Sequence, residues 1–265
     1  MKVLGSVSAA ILALIIVSVV SAEHHANCTV VADVHFKSIT HGRGKRAGDL
    51  IYSLEFFRSL LGSPNNGRKG PKSKGHRWIN WDDEEVPFEL PYDYFNSYSR
   101  RGLVLESRKN KFRVSTPPVV PDGIVDKRFS SINKRESKNF KTFTRKRLFT
   151  PVKDNVFAVK FYLPGESQRA FVQGFGAVFV GVDVPGQTRM VAYDRGGCVL
   201  AAEYVEPSPN GLSFLGFYFD SPIIWSVEIK LGNKAIDKSK CGLSCGEDVV
   251  VMDDILFSEP VLLRY

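Results

Sequence analysis

The sequence predicts an all-β fold, an antiparallel β-sandwich of the jelly-roll kind with a short helical N-terminal extension. Residues 171–184 and 249–257 are apolar runs rich in Val and Phe, broken by Gly or Asp. A strand that is apolar on both faces belongs in the middle of a layered sheet structure. Residues 156–163 and 223–231 alternate between apolar and polar side chains, as half-buried strands do. Frequent turn signals such as Pro185-Gly186 separate these runs, which is typical of sandwiches.

Nine strands are predicted in the part of the chain that follows Trp78. They cover residues 102–106, 111–115, 156–163, 171–184, 189–193, 199–205, 212–219, 223–231 and 249–257. We assign them to one β-sandwich domain over residues 77–260, with a short tail at residues 261–265. A hydrophobic content of 43% is sufficient for one substantial core in a domain of this size.

The first 22 residues have the pattern of a secretory signal peptide. Lys2 supplies the positive charge, residues 9–20 form an apolar core, and Val20-Ser21-Ala22 offers a small-residue cleavage site. A signal anchor is the alternative, but serines shorten the apolar run. No later run approaches the ~20 apolar residues of a membrane-spanning helix. The sequence therefore predicts a secreted protein with no transmembrane segment.

An N-terminal extension is predicted at residues 23–76. Its first part, up to residue 47, is polar and reads as disordered, and residues 43–46 have the Arg-x-Lys-Arg form that secretory-pathway convertases cut. A helix is predicted at residues 49–61, because apolar side chains recur at helical spacing. These side chains are Leu50, Leu54, Phe57 and Leu61. Residues 62–75 are a basic linker rich in Gly and Pro, and they mark the best domain boundary.

The cysteine usage fits a secreted protein. Four cysteines lie beyond the signal peptide, and an oxidising compartment favours two disulfides. They are Cys28, Cys198, Cys241 and Cys245, for which three pairings are open. A zinc site at the C-x3-C motif is the weaker alternative, since no histidine lies nearby. Asn27 begins the only glycosylation sequon, Asn27-Cys28-Thr29.

Residues 127–147, here called the basic segment, concentrate positive charge. They hold nine Lys or Arg and one acid, Glu136, in a chain whose net charge is +8. Such a block attracts anionic polymers or surfaces, and a solvated mobile loop is the alternative. The predicted polyanion patch consists of Lys134, Arg135, Lys138, Lys141, Arg145, Lys146 and Arg147.

Histidine is absent after His76. This excludes a Ser-His or Cys-His nucleophilic centre, and a histidine-based zinc site, within the β domain. Paired carboxylates, as in glycoside hydrolases, are the main remaining route to catalysis. No spacing singles out a pair among Glu203, Glu206, Asp183 and Asp220. The sequence therefore favours a non-catalytic protein, and a carboxylate-dependent enzyme is the alternative.

Asp253-Asp254 is an acidic pair inside an otherwise apolar strand. Strand alternation sends the two side chains to opposite faces, and burying one of them requires compensation. Backbone and hydroxyl hydrogen bonds are one form of compensation, and a structural Ca²⁺ ion is the other. Asp82, and Asp83 beside it, could add oxygen ligands if the first and last strands lie side by side.

Aromatic side chains suggest how a sandwich of this kind could bind sugar rings. Tyr92 and Tyr94 are the preferred candidates, because they lie in a polar loop. The full set of candidates is Trp78, Trp81, Tyr92, Tyr94, Tyr98, Tyr193, Tyr204, Tyr218 and Trp225. The alternative is that they are core residues, as most aromatic side chains of sandwiches are.

An ordered set of motifs between residues 78 and 260 carries a family resemblance. It includes Ile79-Asn80-Trp81-Asp82, residues 161–165 (FYLPG), 174–183 (GFGAVFVGVD), 207–216 (PSPNGLSFLG) and 248–254 (DVVVMDD). The set resembles a group of secreted, mostly bacterial β-sandwich proteins of uncharacterised function, and more distantly lectin-like and carbohydrate-binding jelly rolls. The resemblance implies a secreted sandwich and brings no activity with it. The likeliest framework for a shared site is Asp82, Asp183, Asn210, Asp253 and Asp254.

These observations predict a secreted, non-catalytic module that binds extracellular or cell-wall carbohydrate, either a polysaccharide or a glycoprotein. The predicted ligand residues are Trp81, Tyr92, Tyr94 and Asn210, and the predicted calcium ligands are Asp82, Asp253 and Asp254. Two alternatives stay open. One is a carboxylate-dependent glycan hydrolase or lyase, and the other is a cationic structural or defence protein that binds anionic surfaces.

Overall fold

The computed structural model describes Cys28 and residues 37–82, 85–115 and 127–263. The signal peptide, Asn27 and Asp83 lie outside the described residues. Within these ranges the chain forms thirteen strands in two antiparallel sheets, and the all-β prediction is confirmed. They are β1 (Lys37–Gly44), β2 (His76–Ile79), β3 (Glu89–Leu90), β4 (Leu103–Glu106), β5 (Phe112–Val114), β6 (Phe149–Pro151), β7 (Val156–Phe161), β8 (Gly174–Val180), β9 (Arg189–Tyr193), β10 (Val199–Tyr204), β11 (Leu212–Phe219), β12 (Ser226–Lys230) and β13 (Val251–Ser258).

The larger sheet has eight strands, in the order β1-β11-β8-β13-β6-β5-β3, with β2 also pairing with β13. The smaller sheet has five, in the order β10-β9-β12-β7-β4. All nine predicted strands are present, and β9 and β11 have the predicted bounds. The predicted helix is also confirmed. It consists of a 3-10 turn, Ala47–Leu50, followed by α1 (Ile51–Leu61), while a second helix, α2 (Tyr94–Ser97), is one turn long.

Strand β8 is apolar on both faces because the large sheet is covered on both sides. Phe175, Ala177 and Phe179 belong to the core between the two sheets, together with side chains of β7, β9 and β12. Val178 and Val180 face the other way, into an outer layer that α1 and the basic segment complete. The central strand of a three-layered structure needs this sequence pattern.

Helix α1 lies on the outer face of the large sheet. Its buried side chains are Leu54, Phe57 and Leu61, as the helical spacing predicts. The ring of Phe57 sits in a groove left by two glycines, Gly176 in β8 and Gly216 in β11. A Cβ atom at either position would come within 2.7 Å of the Phe57 ring. The missing side chains therefore let the helix approach the sheet closely.

The N-terminal extension is more integrated than the sequence indicates. Residues 37–44, predicted to be disordered, form β1 and pair with β11 along its length. The predicted linker at residues 62–75 is held to the sandwich by Arg77, which is fully buried. Its guanidinium donates to both carboxylate oxygens of Glu259 (2.7 and 2.8 Å) and to the Gly67 and Lys69 carbonyls. Although residues 62–75 have the composition of a linker, they are therefore packed on the sandwich through Arg77.

Two disulfides are present, and they select one of the three open pairings. Cys28 is bonded to Cys198, which precedes β10, and Cys241 is bonded to Cys245 within one loop. None of the helices in the described ranges combines the length and the apolar character needed to cross a membrane.

Candidate functional site

The pair Asp253-Asp254 lies at a β-bulge in β13. Met252 pairs with Phe179 and Ile255 with Ala177, so two residues of β13 stand opposite the single residue Val178. The extra residue breaks the strand alternation. Our expectation that the two side chains point to opposite faces is therefore wrong, because both carboxylates contact one hydroxyl. The Thr144 Oγ1 atom lies 3.0 Å from Oδ1 of Asp253 and 2.7 Å from Oδ1 of Asp254.

Hydrogen bonds satisfy both aspartates, although both are fully buried. The Phe143 backbone N–H donates to Oδ2 of Asp253 (2.6 Å), and the Trp78 indole N–H donates to Oδ2 of Asp254 (2.7 Å). The Trp81 indole N–H donates to the Asp253 carbonyl (2.6 Å), an acceptor at the bulge. Of the two forms of compensation that the sequence left open, these contacts favour hydrogen bonding.

The two neighbouring carboxyls, Asp253 and Asp254, affect each other's pKa. Burial raises the pKa of Asp253 well above its usual value, and the negative charge of Asp254 raises it further. Burial also raises the pKa of Asp254, while the Trp78 and Thr144 donors oppose that shift. The Thr144 hydroxyl has one hydrogen and touches both carboxyls. Burial and the mutual repulsion of the two carboxylates therefore favour protonation of the pair over two full charges.

Asp82 completes an aspartate cluster with Asp253 and Asp254. Its Oδ1 atom accepts the backbone N–H groups of Lys146 (3.1 Å) and Arg147 (3.2 Å). Its Oδ2 atom is buried, with no hydrogen-bond partner among the described residues. The cluster therefore fastens residues 143–147, the end of the basic segment, to the large sheet.

The predicted calcium ligands do not form a compact oxygen cage. In the described ranges, three metal-ligating side chains place their ligand atoms within 4.8 Å of one another only at Cys241, Cys245 and Glu247. There the two sulfurs are already joined in a disulfide. In the aspartate cluster, five of the six side-chain oxygens contact the Thr144 hydroxyl or accept an N–H, and Oδ1 of Asp82 accepts two N–H groups. This donor set suits a hydrogen-bonded clamp.

The basic segment is packed rather than free in solution. Phe129 and Phe140 are buried in the layer outside the large sheet, and Phe143 packs against it. The one acid of the segment, Glu136, is buried and accepts a hydrogen bond from the Ser239 hydroxyl (3.1 Å). The apolar side chains fix the backbone of the segment and leave most of its basic side chains at the surface.

Six of the seven predicted patch residues reach solvent. Lys141 is half-buried, and the other five are exposed, namely Lys134, Arg135, Lys138, Arg145 and Lys146. None of the six forms an ion pair with an acid in the described part of the chain. The prediction that Arg147 belongs to the surface patch is wrong, because Arg147 is buried. Its guanidinium donates to the Ser115 carbonyl (3.1 Å) and the Val86 carbonyl (2.8 Å), so it holds the fold together.

Two of the predicted sugar-binding aromatics are core residues. Trp81 is fully buried and stacks on Phe149, with ring centroids 4.5 Å apart. Tyr94 is 7% exposed, and its hydroxyl donates to the Glu85 carbonyl (2.7 Å). Neither side chain offers a free ring face to a ligand. The alternative that these aromatics belong to the core is therefore correct for Trp81 and Tyr94.

Tyr92 is 48% exposed and directly follows Pro91, which lines a cleft at the β3–β5 edge of the large sheet. This Tyr92 cleft has a volume of about 280 Å³, and its polar lining comes from β3, β5 and the turn before β5. The polar lining residues are Glu89, Asn110, Lys111 and Arg113. Arg113 forms an ion pair with Glu89 (2.7 Å), which fixes its guanidinium at the rim.

Tyr98 is a second exposed aromatic in the same loop region, at 72% exposure. Its ring stacks on the buried Tyr94 ring at a centroid distance of 5.8 Å, which leaves the other ring face open. Sequence reasoning counted Tyr98 among the aromatic candidates without preferring it, and it did not select the polar residues of the cleft. Those polar residues come from strands and turns that are about 20 residues apart in the sequence, and no local pattern connects them.

Asn210 is exposed and lies in the turn before β11. Its backbone N–H donates to Oδ1 of Asp183 (2.9 Å). Strand β11 is next to β1, at the opposite edge of the large sheet from β3 and β5. The structure therefore does not bring Asn210 to the Tyr92 cleft.

Comparison of this chain with family models, with curated proteins and with solved structures finds no match. The resemblance to secreted β-sandwich proteins accordingly rests on the sequence motifs, and function is argued from the geometry of the site.

Proposed function

We propose that this protein is a secreted, non-catalytic module that binds extracellular carbohydrate in the Tyr92 cleft. The observation that carries the proposal is a half-exposed tyrosine, Tyr92, directly after Pro91 in the wall of a cleft of about 280 Å³ that is partly lined by polar side chains. Sugar rings are bound by stacking their C–H faces on an aromatic ring while nearby polar groups take the hydroxyls.

The polar lining offers complementary hydrogen-bonding groups. Glu89 is an acceptor, Arg113 and Lys111 are donors, and the Asn110 amide is both. The open face of Tyr98 provides a second aromatic surface for a longer glycan. Secretion is supported by the two disulfides, which suit an oxidising compartment, and by the signal-peptide pattern.

Retention of the purified protein on immobilised neutral and acidic polysaccharides tests this proposal. We expect retention on a neutral glycan that persists at high salt, because ring stacking responds little to ionic strength. Tyr92→Ala should reduce retention at least tenfold. Tyr204→Ala is the matched control, since Tyr204 is 52% exposed but lies in the smaller sheet. Equal retention of both variants, or none by the unmodified protein, would overturn the proposal.

A second candidate is attachment to an anionic extracellular polymer. The observation that favours it is the row of exposed basic side chains without acidic partners among the described residues. Binding of this kind should fall steeply between low and high salt. Replacing Lys134, Arg135 and Lys138 with Gln should abolish it, whereas Tyr92→Ala should leave it unchanged.

A further inference from the structure

Helix α1 and the basic segment lie on the same side of the molecule. Leu54, Phe57 and Leu61 of α1 share one apolar cluster with Phe129 and Phe140 of the basic segment. That cluster covers the outer face of the large sheet. The outward-facing side chains of both elements therefore form parts of one surface, although about 80 residues separate the elements in sequence.

Three large apolar side chains of α1 face solvent. Tyr52 is 88% exposed, Phe56 is 53% exposed and Ile51 is 50% exposed. Tyr52 and Phe56 are four residues apart, so they stand one above the other on the helix. The packing of α1 on the sheet uses the opposite side, through Phe57 and its neighbours. Folding therefore does not require these exposed apolar groups.

Positive charge surrounds the start of the helix. Lys45 and Arg46 directly precede the helical turn, and the Lys141 ammonium donates to the Lys45 carbonyl (3.2 Å). Asp49 offsets part of this charge, since it contacts Arg46 (3.8 Å). Lys45 and Lys141 form no ion pair with an acid in the described ranges. The exposed apolar side chains of α1 therefore lie near two cations without an ion-pair partner among the described residues, Lys45 and Lys141, at the start of the helix.

The two charged residues of α1 itself form an ion pair with each other. Glu55 contacts Arg58, one turn further along the helix. Because this pair is neutral as a unit, the charge near the helix is set by Lys45, Arg46 and Lys141, with Asp49 offsetting part of it.

We propose that this surface docks on an anionic lipid bilayer. Ile51, Tyr52 and Phe56 would enter the headgroup region, where aromatic side chains are favoured, and Lys45 and Lys141 would meet anionic headgroups. An acidic polysaccharide would use the cations but gives no reason for three exposed apolar side chains. The site is separate from the Tyr92 cleft, because α1 packs mainly on β11 and β1, which lie at the opposite end of the large sheet from β3 and β5.

Co-sedimentation of the purified protein with lipid vesicles tests the proposal. We expect binding to vesicles of equal parts phosphatidylserine and phosphatidylcholine, and much weaker binding to phosphatidylcholine alone. The double variant Tyr52→Ser/Phe56→Ser should lower the partition coefficient at least tenfold. Lys45→Gln and Lys141→Gln should each lower it about fivefold. Tyr204→Ser, on the smaller sheet, is the control and should bind as the unmodified protein does.

Three results would overturn the proposal. The first is equal binding to both vesicle types, or to neither. The second is that the unmodified protein binds an acidic polysaccharide but not the vesicles, and that the lysine variants lose this polysaccharide binding. That result would assign the cations to the polysaccharide. The third is a dimer that the serine variant dissociates in sedimentation analysis, which would assign the apolar group to a second copy. Because the serine substitutions are at exposed positions, unchanged circular dichroism and melting temperature will show that both variants are folded.

Discussion

At the scale of single residues, Asp248 carries an electrostatic cost. It is fully buried, and its Oδ1 atom accepts the Asp183 backbone N–H (3.3 Å). Its Oδ2 atom has no partner among the described residues. Burial raises the pKa of Asp248 to about 6, with a further contribution from the charge of Asp183. The folded state therefore holds this proton more tightly than the unfolded state does.

Asp248→Asn should stabilise the protein at neutral pH and do little in acid. Below the unfolded pKa of 3.8 both states are protonated, and the native carboxyl costs nothing. As pH rises from there to about 6, the unfolded state loses its proton first, so the unmodified protein loses stability. A shift of about two pKa units corresponds to about 3 kcal/mol above pH 7.

Urea unfolding of both proteins at about pH 4 and pH 7.5 measures this difference, with Glu228→Gln, at an exposed acid, as the control. A stability gain of the same size at both pH values would contradict the electrostatic explanation.

Thr144 is the residue on which the aspartate cluster depends. Thr144→Val keeps the shape but removes the hydroxyl that touches both buried carboxyls, at a cost of about 1–3 kcal/mol. Loosening of residues 143–147 should also make the Arg145 and Lys146 peptide bonds more sensitive to trypsin. Thr142→Val is the matched control, since its hydrogen bond to the Arg145 carbonyl is exposed and water can replace it. Similar proteolysis rates for both variants would show that the cluster does not hold the segment.

At the scale of elements, the contact between α1 and the large sheet depends on glycine. Gly216→Ala would place a methyl group 2.7 Å from the Phe57 ring, so the helix must shift. Overpacking of this kind costs about 1–3 kcal/mol, which thermal unfolding will measure.

Gly48→Ala is the control for that experiment, because its Cβ would meet nothing within 4 Å. If the steric explanation holds, Phe57→Leu in the Gly216→Ala background should recover part of the loss. A double variant as unstable as the sum of the single variants would rule it out.

At the scale of the whole molecule, the two disulfides constrain the chain very differently. Cys28–Cys198 spans a sequence separation of 170 residues, and Cys241–Cys245 spans 4. Chain-entropy reasoning assigns about 5 kcal/mol to the first and about 2 kcal/mol to the second. Replacing both cysteines of the long-range bond with alanine should therefore lower the urea midpoint more than removing the short-range bond. The reverse order would show that local structure, and not loop closure, sets their contributions.

Most of the fold could be predicted from the sequence because its signals are local. Alternation at period two, continuous apolar runs and turn signals located the nine strands, and apolar spacing at helical period located α1. Strand β1 was missed because its polar sequence, KSITHGRG, gives no alternation. It is ordered by pairing with β11, which lies about 170 residues away.

The site depended on tertiary structure. The sequence by itself determined the sandwich, the helix and the presence of a buried acidic pair, since each follows from which residues are apolar in a short window. Only the tertiary structure decided that the pair lies at a bulge, that Trp81 and Tyr94 are buried and that Arg147 is structural. The partners that decide these roles are distant in sequence, as Trp78 and Asp254 are at 176 residues. Hydrogen bonds and burial depend on such distant partners, and no local pattern of residues specifies them.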